Sequence, residues 1–192
     1  MTLQFPHGQP GDLLYTRSTG VVGAGIRFGQ DVDLFGWWAA DKALFRRMVL
    51  RDGPQEFGSP AWGNHIAVVG DGCLIEALAR GVVRSPLSKY RLSEAVVLPL
   101  ETVRPGVTVR ERAAAVAYAE KQAELHDSYG WLGITSIALQ LTTPARLDVE
   151  WDGAMICSAL GARAWEHAGV ILPTRAAGTT MPCQLRRMVG RL

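Results

Sequence analysis

The feature that constrains this chain most is a pair of short apolar segments, His65–Val69 and Cys73–Leu78, separated by Gly70-Asp71-Gly72. Two apolar segments joined by a glycine-rich turn are typical of a β-hairpin. If Asp71-Gly72 forms a two-residue turn, Gly70 pairs with Cys73. The sequence therefore predicts two antiparallel strands in a defined register.

The length of that turn decides which polar side chains meet. With two residues in the turn, Ala67 faces Glu76, and His65 becomes a diagonal neighbour of Glu76 on one face of the sheet, about 7–8 Å away at the backbone. A glutamate can close that gap and hold the imidazole in one tautomer. A three-residue loop would shift the register by one and turn Glu76 to the other face. An unpaired carboxylate inside an apolar strand is costly, so we expect Glu76 to accept a hydrogen bond from the ring of His65.

The rest of the sequence predicts a single α+β domain over residues 1–192, with a small antiparallel sheet packed against a helix that begins near Cys157. Thr108 with Glu111 forms a capping-box pattern, and Gly169 suits the end of a helix. The other predicted elements are a strand after Gly11-Asp12, helices within Leu34–Leu50, a strand at Ala95–Leu100, a helix from Thr108 to Leu125, an apolar segment at Tyr129–Leu141 and a helix at Ile156–Ala168.

Cys157 stands at the start of the last of these predicted helices. A thiol in that position experiences the positive end of the helix dipole and unpaired backbone N–H groups, which favour the nucleophilic thiolate. The same N–H groups can bind the oxyanion that forms when a thiolate attacks a carbonyl. Taken alone, a cysteine in an apolar helix is more often a core residue. We interpret Cys73, at a turn, and Cys183, in a proline-flanked tail, as structural.

Composition and charge restrict the partners and the compartment. A net charge of +2 with scattered basic residues argues against nucleic acid, and we interpret the cluster Arg186, Arg187 and Arg191 as a solvated tail. No run approaches the ~18 apolar residues of a membrane span, and the first residues lack the pattern of a secretory signal. An odd number of cysteines favours a reducing, cytoplasmic location. No zinc-type spacing or phosphate loop is present, so we expect no cofactor.

The order of the motifs resembles the permuted branch of the NlpC-type papain-like hydrolases, which includes YiiX-like bacterial proteins and lecithin–retinol acyltransferase. The resemblance covers roughly residues 10 to 187. Tyr129 matches an aromatic position of that family. The matching motifs are Gly-Asp-Leu-Leu at Gly11–Leu14, the histidine strand His65–Val69, Ile-Glu-Ala at Ile75–Ala77, the pair Gly81-Val82, and Cys157-Ser158 opening a helix that ends at Ala168-Gly169.

The resemblance implies a permuted papain-like fold in which Cys157 is the nucleophile, His65 its general base and Glu76 the residue that orients the base. It implies cleavage of an amide or ester through an acyl-cysteine intermediate. The expected substrate is a peptide, an isopeptide, a peptidoglycan fragment or another acyl compound. Two alternatives stay open: a lipid acyltransferase that uses the same pair, and a binding module that keeps the fold without turnover.

One segment, about residues 30–63, is longer than the connection usual in that family. It contains Phe35, Trp37, Trp38 and Trp62. These aromatic residues either form a lid or acyl-chain groove over the site, or pack onto the core, which is the more common fate of such side chains.

Overall fold

A five-stranded antiparallel sheet, in the order β4-β3-β2-β1-β5, organises the part of the chain that the structure describes. This computed structural model describes residues 8–17, 26, 62–90, 95–125, 128–129, 154–172 and 180–189. The strands are β1 (Leu13–Thr16), β2 (His65–Val69), β3 (Cys73–Leu78), β4 (Gly81–Pro86) and β5 (Ala95–Leu98), with a separate parallel pair β6 (Ser128–Tyr129) and β7 (Ala154–Met155). The described helices are α1 (Leu100–Val103), α2 (Val109–Glu124), α3 (Cys157–His167) and α4 (Pro182–Val189).

The hairpin between β2 and β3 has the predicted register. Val68 pairs with Ile75 and Val69 pairs with Leu74. The amide of Gly70 donates to the carbonyl of Cys73 at 2.9 Å, which closes the turn. The register prediction from the two-residue turn is therefore confirmed.

The two faces of the sheet carry different clusters. One face packs against α2 and α3 and forms the main core, whose members include Leu13, Tyr15, Ile66, Val68, Ile75, Leu160 and Trp165. The opposite face carries a smaller cluster formed by Leu14, Ala67, Val69 and Leu74, with Leu87, Tyr90, Ala95 and Val97 packed against it. The expected α+β arrangement, with a small antiparallel sheet against the helix of Cys157, is present in the described residues.

Helix α3 approaches the sheet closely because Gly161 has no side chain. A Cβ at this position would lie 2.7 Å from Cγ2 of Ile66 and 3.2 Å from Cδ1 of Leu13. Both neighbours are fully buried, so neither can move freely.

We expect Gly161→Ala to destabilise the fold by about 1–3 kcal/mol, because overpacking outweighs the roughly 1 kcal/mol by which alanine favours a helix. Urea denaturation followed by circular dichroism measures the difference. The exposed Glu166 on the same helix supplies the control, and Glu166→Ala should change stability by no more than about 0.5 kcal/mol. A Gly161→Ala protein as stable as the unchanged chain would contradict the close approach.

The Gly11-Asp12 motif has a structural role. The buried Asp12 carboxylate accepts hydrogen bonds from the amide of Leu100 at 2.9 Å and from Nη1 of Arg112 at 2.7 Å. The indole of Trp165 donates to the carbonyl of Gly11 at 3.0 Å. These bonds tie the start of β1 to α1, α2 and α3.

The two helix boundaries that were predicted from a capping box and from a glycine are confirmed. The hydroxyl of Thr108 accepts from the amide of Glu111, whose carboxylate accepts in turn from the Thr108 amide, so the capping box is complete. Gly169 follows α3 with a φ of +80°, in the left-handed region that favours glycine.

Two elements of the structure were not predicted from the sequence. Strand β4 extends over Gly81–Pro86, a segment for which the sequence indicated only the pair Gly81-Val82 and no strand. It lies at the edge of the sheet, where arginine and proline are tolerated because one side of the strand needs no hydrogen-bonding partner. The expected solvated tail is partly helix α4, which begins at Pro182 and holds Arg186 and Arg187 in its last turn. Proline suits the first position of a helix because its missing N–H is not needed there.

Several predictions concern residues that the structure does not describe. They are the helices within Leu34–Leu50, most of the segment Tyr129–Leu141 including the side chain of Tyr129, and the side chains of Phe35, Trp37 and Trp38. None of the helices in the described ranges is long and apolar enough to cross a bilayer.

Candidate active site

His65 opens β2, and its ring points to the carboxylate of Glu76 on the neighbouring strand. Nε2 of His65 lies 2.8 Å from Oε2 of Glu76. The pair is enclosed, since His65 is 7% exposed and Glu76 is 0% exposed. The contact predicted from the hairpin register is therefore present.

Three further side chains donate to the Glu76 carboxylate. The hydroxyl of Tyr90 donates to Oε2 at 2.7 Å, the ammonium of Lys89 contacts Oε1, and the hydroxyl of Ser85 also forms a hydrogen bond with the carboxylate. Ser85 belongs to the end of β4, and the other two residues come from the 3₁₀ turn Leu87–Lys89 and the residue after it. A single segment of chain thus supplies all three donors.

These contacts keep the Glu76 carboxyl ionised. Burial by itself raises its pKa, but the hydrogen bond and positive charge of His65, together with the hydrogen bonds from Lys89 and Ser85, lower the pKa to about 2. Burial and the negative charge of Glu76 raise the pKa of Tyr90, so its hydroxyl keeps the proton that it donates.

Cys157 is the first residue of α3 and is 4% exposed. Its thiol forms a hydrogen bond with the ring of His65. Because Nε2 of that ring already contacts Glu76, the nitrogen that faces the sulfur is Nδ1. Residues far apart in sequence, Cys157, His65 and Glu76, thus form one continuous chain of hydrogen bonds.

Two backbone amides also contact the sulfur. Hydrogen bonds from the backbone of Ile66 and Ser158 lower the pKa of Cys157, which requires that their N–H groups donate to the thiolate. Ser158 supplies its amide because the first N–H groups of a helix have no partner within the helix. The amide of Ile66 reaches the sulfur from β2.

The surroundings of Cys157 and His65 favour the charged pair, a thiolate beside an imidazolium. Burial by itself raises the pKa of Cys157, but the positive charge and hydrogen bond of His65 with the two amides lower it below the ordinary value. Burial favours a neutral ring, but the negative charge and hydrogen bond of Cys157, followed by those of Glu76, raise the pKa of His65 to about 9. Each group thus favours the charged form of the other.

The other two cysteines have different surroundings. Cys73 is half-buried on β3, with its Sγ 3.9 Å from Oε1 of Glu120. Burial and the negative charge of Glu120 raise the pKa of its thiol. Cys183 is fully buried on α4. The setting of Cys73 disfavours a thiolate, whereas that of Cys157 favours one.

Trp62 is the one described aromatic residue of the segment 30–63, for which the alternatives are a lid or groove and packing onto the core. It is 5% exposed and packs edge-on against Tyr15, with the ring centroids 6.1 Å apart. The Tyr15 hydroxyl donates to the carbonyl of Gly63 at 2.8 Å and accepts from its amide at 2.9 Å. For this one aromatic residue, packing onto the core is the alternative observed.

The sequence alone did not identify Ser85, Lys89 and Tyr90 as partners of Glu76. A signal was available, since the segment Ser85–Tyr90 is rich in side-chain donors and follows directly after the strand next to Glu76. No group of three or more metal-ligating side chains is found among the described residues.

Comparison with known proteins gives no match to this chain: no protein-family model, no curated protein and no solved structure is significantly similar.

Proposed function

We propose that this protein is a cysteine hydrolase that cleaves an amide or ester bond through an acyl-cysteine intermediate. The observation that supports the proposal is the hydrogen-bonded chain from Cys157 through His65 to Glu76, with the sulfur at the N-terminus of α3. A nucleophile, a base and a group that orients the base are the three parts that such catalysis requires. We extend the proposal to the permuted papain-like fold, on the order of the motifs.

The first half of the reaction begins from the thiolate. The sulfur of Cys157 attacks the carbonyl carbon, and the negative charge moves to the carbonyl oxygen. The imidazolium of His65 then gives its proton from Nδ1 to the leaving amine or alcohol as the carbon–heteroatom bond breaks. The product of this half-reaction is a thioester on Cys157 together with the released amine or alcohol.

The second half-reaction regenerates the enzyme. Neutral His65 accepts a proton from water as the water oxygen attacks the thioester, and the thiolate of Cys157 leaves. Glu76 keeps its charge throughout and stabilises the imidazolium whenever it forms. We propose peptides, isopeptides, peptidoglycan fragments and acyl esters as the substrate classes to be compared. A reducing compartment such as the cytoplasm would keep the nucleophile usable.

A short alkylation experiment tests the thiol chemistry. At pH 6, iodoacetamide should modify Cys157 at least about tenfold faster than Cys73, because the thiol pKa of Cys157 is lowered whereas that of Cys73 is raised. Peptide mass spectrometry after brief exposure locates the modified cysteine. In urea-denatured protein, all three cysteines should react at similar rates. Equal modification of Cys73 and Cys157 in the folded protein would contradict the proposal.

A further inference from the structure

The ion pair between Lys89 and Glu76 lies between the solvent and the interior of the candidate site. The side chain of Lys89 is 31% exposed, whereas that of Glu76 is fully buried. The ammonium of Lys89 contacts Oε1, the carboxylate oxygen that does not contact His65. It also lies 5.1 Å from the centroid of the Tyr90 ring, whose hydroxyl donates to the same carboxylate. Lys89 thus contacts both the Glu76 carboxylate and the ring of Tyr90.

We propose that Lys89 is a positioning residue whose charge, acting through Glu76, sets the pH range in which the Cys157–His65 pair is active. This inference rests on the proposed function. Along the chain of contacts the charges alternate: thiolate, imidazolium, carboxylate and ammonium. Lys89 balances the carboxylate, so that Glu76 stabilises the imidazolium without adding a full uncompensated negative charge to a buried site.

The groups that face this chain of charges come from several elements. Cys157 approaches from α3, Ser85 from β4, and Lys89 with Tyr90 from the segment after β4. Ser85 is uncharged, and Tyr90 keeps its proton because its pKa is raised. Among these facing groups, Lys89 is therefore the cation that can oppose the negative charge of Glu76, besides His65 itself.

The direction in which the pKa values of Cys157 and His65 change when the charge of Lys89 is removed can be predicted. A more negative site disfavours the thiolate of Cys157 and favours the imidazolium of His65, so both groups release their protons at higher pH. The range of pH in which the charged pair exists should move upward at both ends. Because the charge acts through Glu76 in a partly buried site, we expect a shift on the order of one pH unit.

The test follows the rate of Cys157 alkylation by iodoacetamide from pH 4 to pH 10 in the full-length protein, with Lys89→Gln, Lys89→Met and Lys89→Arg variants. Lys89→Gln keeps a hydrogen-bond donor without the charge, and Lys89→Arg keeps the charge. Lys121→Met, an exposed site on α2, is the matched control for loss of a lysine. Circular dichroism establishes that each variant is folded.

We expect both transitions of the pH profile to move upward in Lys89→Gln and Lys89→Met, and to stay in place in Lys89→Arg and Lys121→Met. If Lys89→Met does not fold, Lys89→Gln decides. Unshifted transitions in a folded Lys89→Gln protein, or an equal shift in Lys89→Arg, would overturn the role of the charge. If the unchanged protein shows no fast alkylation of Cys157 at mildly acidic pH, the proposed function fails as well, so the two failures are distinguishable.

Discussion

Replacing Cys157 with alanine should abolish turnover of a confirmed acyl substrate, and replacing it with serine should lower kcat by at least about 10³-fold. Loss of a nucleophile costs a hydrolase on the order of 10⁶ in kcat. Serine does not restore the rate, because the site favours an imidazolium beside a thiolate. An alcohol has a far higher pKa than a thiol, so the proton would return to the oxygen and leave a weak nucleophile.

The measurement has two parts. Steady-state kinetics on a panel of peptidoglycan fragments, isopeptides and acyl esters gives kcat and KM, and intact-mass spectrometry detects the acyl-enzyme. Cys73→Ala is the matched control, because Cys73 is half-buried and lies against Glu120 rather than His65. It should keep its activity and its acyl adduct. Turnover by Cys157→Ala above about a tenth of the original rate would contradict a covalent mechanism through this residue.

The central part of the site could be predicted from sequence because it depends on local chemistry. The turn Asp71-Gly72 sets the hairpin register, and Gly72 adopts a φ of +72° that favours glycine. Once the register is set, the alternation of side chains places Glu76 on the face of His65. The start of α3 could be predicted in the same way, from helical spacing over Ile156–Ala168 that stops at Gly169.

The surroundings of Glu76 could not be predicted in this way. Lys89 and Tyr90 reach the carboxylate from a 3₁₀ turn, whose path over the sheet depends on tertiary packing rather than on periodicity. Strand β4, which leads into that turn, was missed because its Ser85-Pro86 ending is also typical of a loop. A buried carboxylate nevertheless requires donors, so the cost of burying Glu76 predicts that further partners exist without saying which they are.

The largest expected effect on stability follows from those partners. A glutamine at position 76 offers one acceptor oxygen and one amide donor group, whereas the carboxylate accepts from His65, Ser85, Lys89 and Tyr90. Glu76→Gln therefore leaves buried donors without an acceptor and Lys89 without its counter-charge. Breaking a buried pair in this way destabilises a protein by about 3–5 kcal/mol. Glu76→Ala should be destabilised at least as much.

The same variants should lose activity. The amide can still orient the ring of His65, but it cannot stabilise the imidazolium as a carboxylate does. We expect Glu76→Gln to lower kcat by about 10²-fold, at the lower end of what general acid–base catalysis contributes, and Glu76→Ala to lower it further. Because the pKa of His65 loses one of the charges that raise it to about 9, the alkaline end of the activity profile should move to lower pH.

The pH dependence of the free energy of unfolding distinguishes the contribution of the Glu76–His65 ion pair from that of packing. The pKa of Glu76 falls from 4.5 to about 2 on folding, so its stabilising contribution is full above pH 4.5 and is lost as the pH falls through 2. The pKa of His65 rises from 6.5 to about 9, so its contribution is full below pH 6.5 and is lost as the pH rises through 9. In the Glu76→Gln variant, the side chain at position 76 does not titrate. The difference in free energy of unfolding between Glu76→Gln and the unchanged chain should therefore be largest near pH 5–6 and shrink toward both extremes.

Urea denaturation at a series of pH values measures that difference directly. Glu166→Gln, at an exposed carboxylate on α3, should show a difference near zero at every pH. A Glu76→Gln difference that is large but independent of pH would mean that residue 76 stabilises the fold by packing alone. The carboxylate would then have no electrostatic link to His65, and its role in orienting the base would have to be abandoned even if Cys157 proved to be the nucleophile.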